Sequence, residues 1–111
     1  MITRIDGHFG NILEALKDPN GDGDRSDSVL EKTLIVFQSD NGGPGDKSLT
    51  EFKSNAYLSG QKGKIQEGGI RIPTLMRLPK AYSSRSKLKS GTSVDRVLDV
   101  TDLLPTFSEL A

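Results

Sequence analysis

The chain has 111 residues, 33% hydrophobic and 27% charged, with 15 basic against 15 acidic side chains and no formal net charge. That balance leaves no electrostatic footprint for nucleic acid or an anionic membrane. The absence of cysteine excludes disulfides, thiolate metal sites and cysteine nucleophiles, and leaves the redox compartment open.

Ile2, Ile5, Phe9, Ile12, Leu13 and Leu16 recur at helical spacing, with Asp6, His8, Asn11 and Glu14 off the stripe. This predicts an amphipathic helix. The same opening residues hold no signal-peptide apolar stretch. Pro19-Asn20-Gly21 ends the helix, and residues 18–28 form a polar loop. Inside it Asp18, Asn20, Asp22 and Gly23 match the first half of an EF-hand calcium loop. The match then fails, because Arg25 replaces an aliphatic residue and Val29 replaces the bidentate Glu. An acidic turn and a weak surface calcium loop both fit that pattern.

Thr33–Ser39 is β-branched and apolar without alternation, which predicts a strand buried on both faces, as in a parallel sheet. Its Leu34-Ile35-Val36-Phe37 run is the longest apolar stretch and is too short to span a bilayer. Gly42-Gly43-Pro44-Gly45 breaks the strand, and residues 44–69 read as a long irregular connection of the kind that carries function. Ile70–Leu78 is a second strand candidate, with Pro73 at an edge or start. Residues 81–93 suit a solvated loop. Residues 102–110 suit a helix, with Thr101 or Asp102 as N-cap and Pro105 in the first turn. The order helix, strand, loop, strand, helix predicts an α/β fold.

Ser39-Asp40-Asn41-Gly42 lies just past the first strand, and open α/β sheets gather ligands at strand carboxyl ends. Asp40 offers a charged oxygen and Asn41 a neutral one, a pair that suits Ca²⁺ or Mg²⁺. Asp-Asn-Gly is also ordinary turn chemistry. Gly60-Gln61-Lys62-Gly63-Lys64 places a lysine between glycines, where it can meet an anion as a point charge or simply stay solvated. The Walker A spacing is absent. His8, the single histidine, falls on the polar helix face, which argues against a general base. Arg71 and Arg77 suit structural ion pairs.

Together these segments resemble the sulfatase family of the alkaline phosphatase superfamily. The resemblance rests on Leu34-Ile35-Val36-Phe37-Gln38-Ser39-Asp40-Asn41-Gly42, followed by Gly60-Gln61-Lys62-Gly63-Lys64-Ile65-Gln66-Glu67-Gly68-Gly69-Ile70-Arg71-Ile72-Pro73. Asp6–Leu13 looks like the helix before the metal strand, and Asp102–Thr106 like a helix near the close of the catalytic domain. The resemblance implies that residues 1–111 are the C-terminal part of a sulfatase catalytic domain. It implies a partial alkaline-phosphatase-like α/β fold, with a buried parallel strand, flanking helices and a long active-site loop.

By the same resemblance, Asp40 and Asn41 ligate a divalent cation, usually Ca²⁺ and alternatively Mg²⁺. Lys62 is the catalytic and substrate-binding lysine that contacts the sulfate ester. Glu67-Gly68-Gly69 shapes the return into the sheet. The substrate class is a sulfate ester, either a small molecule or a sulfated glycan. The family nucleophile is a formylglycine made within Cys/Ser-x-Pro-x-Arg. Here Lys17, Gly42, Arg71, Arg77 and Leu103 stand two residues before the five prolines, so these residues do not encode it. The early Asp-Asp metal pair and the leaving-group histidine also have no counterpart, so the 111 residues alone are expected to be inactive. A phosphate or phosphonate ester hydrolase of the same superfamily is one alternative. A non-catalytic remnant or binding protein is another. Substrate identity and oligomeric state stay open, as does the compartment, since family members are often secreted, periplasmic or lysosomal.

Overall fold

The computed structural model describes residues 2–45, 55–87 and 89–111. Part of the predicted 44–69 connection, residues 46–54, lies outside them, as does Leu88 in the predicted 81–93 loop.

Helix α1 spans Ile2–Lys17, matching the apolar stripe. Phe9, Leu13 and Leu16 are half-buried, whereas Ile2, Ile5 and Ile12 face solvent. The last turn closes with the Asp18 amide donating to the Glu14 carbonyl at 3.0 Å, and Pro19 cannot extend it. The chain then folds back, the Val29 amide donating to the Leu16 carbonyl at 3.0 Å. A 3₁₀ turn at Leu30–Lys32 leads into strand β1, Ile35–Gln38.

Strand β1 pairs with β2, Thr74–Arg77, in a two-stranded antiparallel sheet with Ile35 opposite Arg77 and Gln38 opposite Thr74. The expected buried parallel strand is therefore corrected. The connection leaves the carboxyl end of β1 and returns at that same end, so β2 must run the opposite way. A parallel partner needs a crossover to the far end. The non-alternating apolar pattern reported something real but different, namely apolar contacts on both faces. Phe37 meets Phe9 of α1 with ring centroids 5.1 Å apart and planes at 56°. On the other face Leu34 and Val36 line an open cleft of about 420 Å³ with Phe107. Coverage is partial, and Phe37 remains 40% exposed.

Between the strands, a one-turn helix α2 spans Glu67–Ile70, so the apolar segment that begins at Ile70 becomes strand only from Thr74, after Pro73. Helix α3, Lys80–Ser83, occupies the start of the predicted solvated loop, behind the buried Pro79. A 3₁₀ turn at Val100–Asp102 enters helix α4, Leu103–Leu110. Asp102 is the N-cap residue of α4, one of the two expected, but makes no side-chain cap bond, and the side-chain cap belongs to Asp99 at the start of the 3₁₀ turn. The Asp99 carboxylate accepts the Thr101 amide at 2.9 Å and the Asp102 carboxylate accepts the Asp99 amide at 2.9 Å. Acidic groups three residues apart close this reciprocal box, which neither Thr101 nor Asp102 could close as cap. Pro105 sits in the first turn, where no amide donor is needed. The Tyr82 hydroxyl donates to the Leu110 carbonyl at 2.6 Å, tying α3 to the end of α4.

Among the described residues no hydrophobic side chain is fully buried. The accessible surface is 9481 Å², against roughly 6,000 Å² for a compact monomer of this size. The radius of gyration is 17.1 Å, against about 13 Å for a compact domain of this length. Helices and a small two-stranded antiparallel sheet thus form a mixed arrangement with much apolar surface uncovered.

Candidate functional site

The carboxyl end of β1 opens onto a cleft of about 460 Å³. Its walls include Ser39, Asn41, Gly42 and Gly43 from the turn after β1, Asn55 from the connection, and Arg71 and Pro73 before β2. Three backbone hydrogen bonds build it. The Gly42 amide donates to the Gly69 carbonyl at 2.8 Å, the Lys62 amide to the Gly43 carbonyl at 2.9 Å, and the Gly68 amide to the Ser59 carbonyl at 2.7 Å.

These contacts explain the glycines. A Cβ on Gly42 would overlap the Gly68 carbonyl, and one on Gly68 would overlap the Gly60 carbonyl. Gly42, Gly68 and Gly69 are all buried. Backbone touches backbone here, so no side chain can be accommodated without moving a strand connection. Glu67-Gly68-Gly69 forms the turn back toward β2, as its sequence suggested.

Asn41 lines the cleft and is half-buried. The Ser39 hydroxyl donates to the Asn41 carbonyl at 2.8 Å, tightening the turn. The Asn41 amide nitrogen donates one of its two hydrogens to the Gly42 carbonyl at 2.9 Å, which fixes the side-chain amide over the turn. Among the described residues no donor occupies that Oδ1. Asp40 is exposed at the strand end, and no described residue donates to its carboxylate. A carboxylate and an amide oxygen that no described residue bonds are hard-oxygen donors that fit Ca²⁺ or Mg²⁺ chemistry. The two oxygens fall well short of a full shell. Among the described residues no group of three or more Asp, Glu, His or Cys converges to hold a metal ion.

Lys62 is exposed. Its backbone is fixed to Gly43, while neither Lys62 nor Asp40 lines the cleft. Asp40 and Asn41 thus belong to one segment and Lys62 to another, and the two are joined at Gly43, five residues past the end of β1. Arg71 pairs with Glu67 at 3.5 Å and with Asp95 at 3.4 Å. Arg77 donates to the Leu30 carbonyl at 2.7 Å and pairs with Glu31 at 2.5 Å. Both arginines make structural pairs. His8 lies exposed on α1.

In the acidic loop the oxygens cap their own backbone. The Asp18 carboxylate accepts the Gly21 amide at 2.8 Å and the Gly23 amide at 2.9 Å. The Asp22 carboxylate accepts the Asp24 amide at 2.8 Å. Asp24 is held below the ordinary carboxylate range by the Ser26 amide and then the Ser26 hydroxyl. Turn chemistry accounts for this loop.

Asn55 is the site residue that sequence reasoning missed. Its Oδ1 accepts the Gly43 amide at 2.7 Å, and its Nδ2 donates to the Gly43 carbonyl at 3.1 Å and the Gly60 carbonyl at 3.2 Å. The only local hint was an asparagine within an otherwise patternless segment. Ala56 beside it is left-handed at φ 51°, a conformation that costs a non-glycine residue about 1–2 kcal/mol.

The sulfatase family model matches residues 1–111. The chain belongs to the sulfatase family. Among its relatives, a sulfatase of Formosa agariphila is 34% identical over 110 residues, covering 99% of this chain and 18% of that protein. Arylsulfatase H of Homo sapiens is 33% identical, covering 96% of this chain and 17% of that protein. Steryl-sulfatase of Mus musculus is 29% identical, covering 99% and 16% respectively. The chain therefore spans less than a fifth of the length of these relatives. No solved structure matches it.

Proposed function

We propose that residues 1–111 are a later part of a sulfatase catalytic domain. On this reading Asp40 and Asn41 supply two oxygen ligands to a divalent cation, calcium in preference to magnesium, and Lys62 supplies an ammonium to the sulfate of an ester substrate. The observation that carries it is the 2.9 Å bond from the Lys62 amide to the Gly43 carbonyl. It fastens an anion-binding segment beside a hard-oxygen pair at a strand carboxyl end, in a chain of the sulfatase family.

Each residue then has a chemical task. Asn41 spends its amide nitrogen on Gly42 and presents oxygen. Asp40 presents a carboxylate that no described residue neutralises. Lys62 brings three donors and a full positive charge on a flexible stem, suited to tetrahedral sulfate oxygens. A bound cation would supply Lewis-acid charge to the sulfate oxygens. Gly42, Gly68 and Gly69 hold the two segments at backbone contact. These residues supply no nucleophile of the Cys/Ser-x-Pro-x-Arg type.

Nitrophenyl sulfate tests this directly. With the 111-residue chain it shifts the amide resonances around Lys62 but releases no nitrophenol, and Lys62→Ala removes the shifts. Product release that Lys62→Ala abolishes contradicts the inactivity, and shifts that survive Lys62→Ala contradict the role of the lysine.

A further inference from the structure

Asn55 makes the densest set of side-chain hydrogen bonds around the cleft, yet none of the chemistry above uses it. We propose that Asn55 is the positioning residue that sets the lysine segment against the metal-ligand segment, an inference that rests on the roles given to Asp40, Asn41 and Lys62.

Asn55 pairs with Gly43 through both of that residue's polar groups, accepting its N–H at 2.7 Å and donating to its carbonyl at 3.1 Å. That is how one backbone residue pairs with another across an antiparallel ladder. Its second amide hydrogen reaches the Gly60 carbonyl at 3.2 Å. Gly43 follows Asn41 by two residues, and Gly60 precedes Lys62 by two. The side chain is half-buried, so these bonds are partly shielded from water. The Gly43 carbonyl receives Asn55 Nδ2 and the Lys62 amide together, filling both of its acceptor positions.

The residue type follows from the pattern. The position needs one acceptor and two donors at the end of a one-carbon stem. Aspartate keeps the acceptor and loses both donors. Glutamine has the right groups one methylene too far out. Serine has a single hydroxyl. The left-handed backbone of Ala56, φ 51°, adjoins this bracket. Three hydrogen bonds offset such strain, since each contributes on the order of 1 kcal/mol. A general effect on folding would disturb the amides of Gly43 and Lys62 alike, whereas the bracket predicts that they separate on partial substitution.

The test uses the ¹⁵N-labelled chain as wild type, Asn55→Ala and Asn55→Asp, with amide exchange and Mn²⁺ broadening as readouts. Wild type protects the Gly43 and Lys62 amides, and Mn²⁺ broadens Lys62 and Gly63 along with Asp40 and Asn41. Asn55→Ala speeds exchange at both protected amides about tenfold, as expected for losing shielded hydrogen bonds. It also removes broadening at Lys62 and Gly63 while leaving it at Asp40 and Asn41. Asn55→Asp keeps protection at Gly43, through its retained acceptor, and loses it at Lys62. Asn55→Ala with wild-type exchange at Lys62, or a wild type with neither amide protected, overturns the proposal. Parallel loss at both amides in Asn55→Asp also overturns it, because that pattern marks plain unfolding. If Mn²⁺ broadens nothing at Asp40 and Asn41, the metal reading fails, while amide exchange still decides the role of Asn55.

Discussion

Gly42 shows how much of this site is decided by single atoms. Its amide bonds to the Gly69 carbonyl at 2.8 Å, and a methyl group in place of its hydrogen would overlap the Gly68 carbonyl. The obstructing atoms are backbone, so no rotamer change relieves them. Gly42→Ala should destabilise the β1–α2 junction by about 1–3 kcal/mol, the usual cost of overpacking. Amide exchange at Gly68 checks this: clearly faster exchange is expected, and an unchanged rate means the junction yields without cost. Asp40, Asn41 and Lys62 could be singled out because their residue types and spacing resemble the sulfatase pattern. Asn55 could not, because its task exists only once Gly43 and Gly60 stand beside it. No local propensity encodes a contact across twelve residues of chain.

Element by element, α1, β1, β2 and α4 were legible from periodicity and breakers, whereas pairing direction was not. A non-alternating run reports apolar neighbours on both faces, which Phe9 and Phe107 provide for β1. It does not report which way the partner strand runs. Start signals were similarly ambiguous for α4, where Thr101 and Asp102 both offered a cap and Asp102 is the N-cap residue. The side-chain cap lies one turn ahead, at the 3₁₀ turn, where Asp99 has its carboxyl held below its ordinary value of 3.8 by the Thr101 amide and then the Thr101 hydroxyl. A depressed folded-state pKa stabilises above the unfolded value and is lost as pH falls through the folded one. The cap of the 3₁₀ turn that leads into α4 should therefore hold from neutral pH down to the ordinary carboxylate range and open below it. The Thr101 amide resonance, followed from neutral to acid pH, reports the change. Asn at this position caps without a titrating group, so Asp99→Asn should remove the acid step at Thr101 while keeping α4. An identical step in the variant contradicts the assignment.

At the scale of the whole molecule, an open arrangement of helices and a two-stranded sheet carries a tightly made local site. The exposed surface of 9481 Å² and the lack of any fully buried hydrophobic side chain among the described residues mean that little global packing supports it. The connection after β1 is held instead by glycine contacts, the Asn55 bracket and the bond from Lys62 to Gly43. Two oxygens cannot saturate a cation that takes six to eight, so calcium should bind these residues only weakly, in the millimolar range or above. The central claim is that Asp40 and Asn41 are those two ligands. Titration of Ca²⁺ into the ¹⁵N-labelled chain, with Asp40→Ala alongside, tests it most directly. Saturable shifts at Asp40, Asn41 and Gly42 that vanish in Asp40→Ala are the predicted result. Shifts confined to Asp18–Asp24, or a response at residues 40–42 unchanged by Asp40→Ala, would contradict it.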